Sequence, residues 1–161
     1  MSVVHTYDVT VTWTGDDGPG TASYRAYRRD HVVDAAGRPA IPGSSDPAFR
    51  GDAGRWNPEQ LLVVSLSQCH MLWYLHLCAE AGVVVHAYRD EARGDMEENA
   101  DGSGQFVAVT LRPAVTVADA GMVERAMALH HDVPAKCFIA RSVNFPVHHE
   151  PTVVVAAAAG A

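Results

Sequence analysis

Residues 57–82 limit the possible folds more than any other part of this chain. Asn57 can cap a helix, Pro58 suits the first helical position and Glu59 suits the positive end of the backbone dipole. An apolar run then continues to Glu80 and Ala81, where Gly82 supplies a natural stop. The spacing predicts a helix of roughly 24 residues, about 36 Å long. Leu61, Leu62, Val64, Leu66, Met71, Leu72, Trp73, Leu75 and Leu77 occupy most of its circumference, which predicts a central, buried helix. Ser65, Ser67, Gln68, His70, His76 and Glu80 interrupt the run, so it reads as a core helix and not a membrane span.

The flanking sequence is strand-like. Residues 3–14 alternate through Val4, Tyr7, Val9, Val11 and Trp13, and residues 21–33 read as one or two further strands. Residues 34–56 are rich in Pro and Gly and read as a long loop, a kind of segment that often carries function. Residues 83–96 alternate again, 97–104 form a polar hairpin tip, and 106–117 return as a strand. A second helix starting at Asp119 places Met122, Val123, Ala126 and Leu129 on one face and is interrupted by Pro134. A short turn carries Cys137, residues 143–155 form the last strand, and AAAAGA at 156–161 reads as a frayed tail. The expectation is a single α+β domain over residues 1–161, with a long buried central helix packed on an antiparallel sheet.

Charge narrows the partners. The formal net charge is -7, Lys136 is the lone lysine, and no basic stretch exceeds Arg28-Arg29. Binding to nucleic acid, which needs clustered positive charge, is not expected. MSVVHTYDVTVTW has neither a charged leader nor a continuous apolar segment, so the expected location is cytoplasmic, with no membrane partner. Cys69, Cys78 and Cys137 are an odd, widely spaced set that does not read as a secreted disulfide scaffold. The nine histidines include His70, His76, His130-His131 and His148-His149, but no zinc-ligand spacing, so no metal or other cofactor is expected.

Cys69 lies mid-helix in SLSQCHMLWYLHL. A cysteine in such a place is usually an inert small hydrophobe. Here Ser65, Ser67, Gln68 and His70 gather small and polar groups around it, and a second cysteine waits on another predicted turn. Cys78, nine residues on and on the opposite side of the helix, reads as core.

Two stretches resemble a known family. Asn57-Pro58-Glu59-Gln60-Leu61, Cys69-His70 ten residues after the Glu, and Ala81-Gly82-Val83 resemble the first signature of the OsmC/Ohr superfamily. Lys136-Cys137-Phe138-Ile139-Ala140-Arg141-Ser142-Val143 resembles its second-cysteine signature. The order of elements agrees over nearly the whole chain. The resemblance implies an OsmC-like fold, an intertwined homodimer and cofactor-free, antioxidant reduction of organic hydroperoxides by a dithiol reductant. It implies that Cys69 attacks the peroxide, that Cys137 closes a disulfide with it, and that Glu59 orients an Arg beside the thiol. Arg50, in Phe49-Arg50-Gly51-Asp52, is the candidate, with Arg55 as the alternative.

The physics adds a constraint. A free thiol with a pKa near ~8.5 is mostly protonated at neutral pH, so the attacking sulfur needs a cation. The dipole of the helix acts within its first turn and does not reach Cys69. Ten residues of helix also separate Glu59 and Cys69 by about 15 Å. Either the helix breaks between them, or the Glu and Arg come from a second subunit; a homodimer with composite sites is the favoured expectation. The sequence departs from the family pattern at Asp132-Val133-Pro134-Ala135-Lys136, where a small residue and His are common, and at Phe138, where Ohr-type members carry Pro. It therefore stands nearer generic OsmC-like proteins, and Pro134 could alter how Cys137 approaches. Trp56, Trp73, Tyr74 and Phe138 are candidates to line an apolar pocket. The alternative reading is a binding protein of the same fold that holds a small apolar ligand, because fold does not fix function.

Overall fold

Asn57 and Gln60 start the long helix by reciprocal capping. The Gln60 N–H donates to Asn57 Oδ1 at 2.8 Å and the Asn57 N–H donates to Gln60 Oε1 at 3.2 Å. In this computed structural model, which describes residues 2–157, α1 runs Pro58–Glu80. Gly82 (φ 71°) then turns left-handed, and the Gly82 and Val83 N–H groups close on the carbonyls of Ala79 and Cys78.

The chain divides into two compact units, residues 1–61 and 62–161, with α1 starting in the first and continuing through the second. The first unit is built on an antiparallel sheet of β1 (Thr10–Trp13), β2 (His31–Asp34) and β3 (Ile41–Gly43). The strands are shorter than the alternation predicts. Residues 21–27 form turns and bends, while β3 arises inside the predicted loop by pairing with β2. Buried Asp30 organises this unit, taking charge-assisted contacts from Arg28 and Arg55 and a 3.3 Å hydrogen bond from Ser44 Oγ.

The second unit holds two three-stranded sheets. One has the order β4 (Val85–Asp90), β7 (Pro113–Val117), β9 (Thr152–Val155); the other has β5 (Arg93–Glu98), β6 (Gly104–Leu111), β8 (Val147–His149). The predicted strand at 106–117 breaks at Arg112. There the backbone N–H donates to Asp90 Oδ1 at 2.6 Å while the side chain pairs with Glu150 at 2.8 Å, and the chain passes from one sheet to the other. The expectation of an antiparallel sheet is corrected as well. The β4/β7 and β5/β6 pairs are antiparallel, but β6/β8 and β7/β9 are parallel. The long connection through α2 (Val123–Leu129) lets the chain return in the same direction, as parallel pairing demands.

Along α1 the buried residues are Leu66, His70, Tyr74 and Cys78, a stripe with a spacing of four. Leu66 packs with Val109 and Leu111; Tyr74 and Cys78 pack with Val115, Val117, Ala126, Leu129, Val133 and Cys137. The expectation of a central, buried helix holds for this stripe and is corrected for other apolar positions: Leu72 is 61% exposed and Val64 38%. Apolar residues around a helix say that every face wants cover; they do not say that one chain supplies it. By length and composition α1 would also suffice to cross a membrane, yet its covered stripe packs on the sheets of this unit. Residues 158–161 of the predicted tail lie outside the described residues; Ala156 still donates its N–H to Val117.

Candidate active site

The centre of interest is a pair of sulfurs. Cys69, three turns into α1, is half-buried, and Cys137, 68 residues later, is buried; Cys137 Sγ donates to Cys69 Sγ at 2.8 Å. Both are free thiols, within easy reach of the roughly 2.05 Å of a disulfide bond.

Local chain chemistry presents Cys137. The Val133 carbonyl accepts from both Lys136 N–H (2.8 Å) and Cys137 N–H (2.9 Å), forming a tight turn that contains Pro134. Pro134 has no N–H to satisfy, so it sits in this turn without leaving a backbone donor unpaired. The Ala140 N–H also donates to Cys137 Sγ at 3.4 Å. Burial, reinforced by the hydrogen bond to Cys69, pushes the Cys137 thiol up to about 11. Cys137 therefore keeps its proton at neutral pH and points it at the more accessible sulfur. The arrangement can stabilise negative charge on Cys69 by hydrogen bonding and can close a disulfide with little movement.

Around the pair lie apolar groups. Trp73, one turn after Cys69, meets Phe138 edge to face at 5.8 Å, and Phe138 is 66% exposed. Leu72, Trp73 and His76 line a shallow hollow of about 190 Å³ on the helix face that carries Cys69. Tyr74 is core instead, stacking on His130 and donating its hydroxyl to Ala126 O at 3.1 Å. Trp56 belongs to the first unit and is 47% exposed.

The other candidates are in the first unit. Glu59, at the start of α1, has a carboxylate oxygen that is buried without a hydrogen-bond partner. Arg50 follows a 3₁₀ turn capped by Asp46 and adopts φ 67°, left-handed for a non-glycine residue, with its guanidinium 5.9 Å from the Tyr24 ring. It forms no ion pair among the described residues, with Glu59 or any other acid. Arg55, the alternative, is committed to Asp30 (3.8 Å) and Asp52 (3.5 Å).

The OsmC-like protein family matches residues 51–152, more than half of the chain, including Glu59 and both cysteines of the pair. The chain belongs to the OsmC-like family. An OsmC-like protein of unknown function from Vibrio cholerae is 28% identical, over 92% of this chain and all of its own, with a TM-score of 0.83. An organic hydroperoxide resistance protein from Elizabethkingia anophelis shares the fold at 15% identity, over 97% of this chain and all of its own, with a TM-score of 0.65. So does one from Legionella pneumophila at 14% identity, over 96% and 100%, also with a TM-score of 0.65. No curated protein matches the sequence.

For this OsmC-like protein, motif reading located the cysteines that come together and left the histidines unresolved. His70 does not serve Cys69, its neighbour in sequence. It turns to the covered side of α1 and meets His130 at 2.9 Å, with His149 stacked nearby. The two His-His pairs were a visible signal; that one member of each converges on His70 depends on tertiary topology. Among the described residues, no group of three or more His, Cys, Asp or Glu side chains is arranged to hold a metal ion. Cys78 is core, its thiol pushed up by burial.

Proposed function

We propose that this OsmC-like protein is a thiol-dependent peroxidase that reduces organic hydroperoxides. The observation that carries the reading is the approach of Cys69 and Cys137 to 2.8 Å with unequal surroundings: one accessible sulfur and one buried, protonated partner. The Cys69 thiolate attacks the distal peroxide oxygen, the O–O bond breaks, and the alkoxide leaves and takes up a proton to become the alcohol. Cys69 is now a sulfenic acid. The Cys137 sulfur displaces hydroxide from it, its proton leaves with the hydroxide as water, and a disulfide remains. A dithiol reductant reopens that bond by exchange and is itself oxidised to a disulfide. The Leu72–Trp73 hollow and Phe138 offer apolar contact to the organic part of the substrate. The fold shared with proteins named for organic hydroperoxide resistance supports the same reading.

On this reading the whole chain, residues 1–161, serves as one catalytic domain in the reducing cytoplasm, and two copies form an intertwined homodimer. Exposed apolar groups on α1 (Leu72, Val64) and on β1 (Val11 63%, Trp13 44%) call for cover. The buried, unpartnered Glu59 oxygen calls for a donor, and about 15 Å of helix keeps it from the Cys69 of its own chain. Glu59 and Arg50 of one subunit would then activate Cys69 of the other. Glu59→Gln is expected to lower kcat/KM by about tenfold or more, corresponding to at least ~1.4 kcal/mol, while sedimentation still reports a dimer. Undiminished activity would remove Glu59 from the mechanism.

A second reading, a binding protein for a small apolar ligand, draws support from a groove of about 300 Å³ lined by Val63, Val64, Met71 and Ala92 with Ser67 and Asp90 at its polar side. Thiol counting separates the two. One equivalent of tert-butyl hydroperoxide should promptly remove two titratable thiols and leave Cys78. A count that stays at three favours the binder.

A further inference from the structure

Three imidazoles from three elements meet inside the second unit. His70 projects from the covered stripe of α1, His130 caps the C-terminal end of α2, and His149 closes β8. His70 and His130 are 2% and 1% exposed, with His70 Nε2 and His130 Nδ1 2.9 Å apart. The His149 ring lies 4.5 Å from that of His70, and Tyr74 stacks on His130 at 3.8 Å. A hydrogen bond between two ring nitrogens needs one donor and one acceptor, so at least one of the two rings is neutral. His130 Nε2 is buried with no partner, so a proton added there meets neither an acceptor nor water.

The charges facing this stack make it intolerant of acid. Asp90 on β4 is the acid that favours charge on His149, and it already accepts from Ser67 Oγ (2.5 Å) and Arg112 N–H. His131 and His148 stand on the other side of the balance, adding like charge on protonation. The Tyr74 and Tyr88 hydroxyls are held neutral by burial. Burial lowers His149 as well, but Asp90 opposes this in part, so a first proton meets the least resistance there. A second must enter a ring about 5 Å from the first, in a setting that solvates neither. Burial and the neighbouring histidines hold His70 down to about 3 and His130 to about 4.

The position of His130 gives this a consequence. From His130 the chain runs through successive turns, His131 bonding to Ala128, Asp132 to Leu129, and Lys136 and Cys137 to Val133. The ring that anchors the start of this segment thus sits seven residues before the sulfur at its end. We propose that the His70–His130–His149 stack is an acid-sensitive latch that, while neutral, pins residues 130–137 and holds Cys137 against Cys69, and that releases the segment when protonated. The latch rests on the geometry of the fold and stands whether or not the pair reduces peroxides.

Cys137 and Cys78 are both about 1% exposed, and only Cys137 lies on the latched segment, so the chain carries its own control. In a Cys69→Ser background, labelling by 4,4′-dithiodipyridine is followed residue by residue at pH 7.5 and pH 5, with glutathione as the reference thiol. The ratio of Cys137 to Cys78 labelling is expected to rise at least tenfold on acidification. The same ratio should stay flat when H70N and H130N are added. His149→Asn, at a half-buried position, serves where that variant does not fold, and because it removes the like charge that opposes protonation of His70 and His130 it should move the rise to higher pH. A ratio independent of pH, equal labelling of both cysteines in acid, or an undiminished rise without the histidines would each overturn the latch.

Discussion

Replacing Cys69 by serine is expected to abolish hydroperoxide turnover, while replacing Cys137 by serine leaves a single turnover per chain. A seryl hydroxyl is not ionised at neutral pH and cannot stand in for a thiolate towards a peroxide oxygen. In Cys69→Ser, consumption of hydroperoxide in the presence of a dithiol should fall to the background of the dithiol alone. In Cys137→Ser, Cys69 still forms the sulfenic acid, but the buried partner 2.8 Å away is no longer a sulfur that can displace hydroxide. One equivalent of alcohol should appear, followed by gain of a second oxygen on Cys69 that mass spectrometry detects. The serine hydroxyl can keep the donor role of the thiol it replaces, so the urea midpoint of this variant should remain close to that of the parent. Turnover surviving in Cys69→Ser would move the chemistry elsewhere in the molecule.

A second large effect follows from the buried imidazoles. His70 and His130 fall from the ordinary 6.5 to about 3 and about 4 on folding, chiefly through burial. The folded chain therefore binds fewer protons than the unfolded chain at mildly acidic pH. The stability contributed by the neutral rings is fully present above pH 6.5 and is lost as the pH falls toward the folded values. Between pH 7.5 and pH 5 each ring costs about 2 kcal/mol, and the pair about 4 kcal/mol, because the unfolded chain takes up both protons and the fold with its stack closed takes up neither, protonation being coupled to opening. Urea unfolding at pH 7.5, 6 and 5 should show the midpoint dropping while the slope stays constant. His130→Asn should remove about half of that dependence. A midpoint that does not move over this range would show that the rings are protonated, and tolerated, in the folded state.

The sequence was most informative where the physics is local. Asn57, Pro58 and Gly82 set the ends of α1 without tertiary help, and α1 occupies Pro58–Glu80. Strands depend on partners, and there the alternation misled. β1 covers only Thr10–Trp13 of a pattern beginning at residue 3, and Ile41–Gly43 became a strand inside a Pro- and Gly-rich stretch because β2 offered an edge. The break at Arg112 was invisible because it is set by Asp90 and Glu150, 22 and 38 residues away. At the site, motif spacing singled out Cys69, Cys137 and Glu59. The contact of His70 with His130 spans 60 residues and carries no spacing rule, so only the fold reveals it. Pro134 reads in sequence as a residue that could alter the approach of Cys137, and in the structure it lies within the turn that ends at Cys137.

The half-covered state of α1 has a thermodynamic corollary. If two copies pair as proposed, apolar residues that one chain leaves in water are sheltered by the other, and mass action then governs how stable the folded molecule is. For such a protein a melting temperature is a property of the solution as much as of the polypeptide, rising with concentration and sinking on dilution.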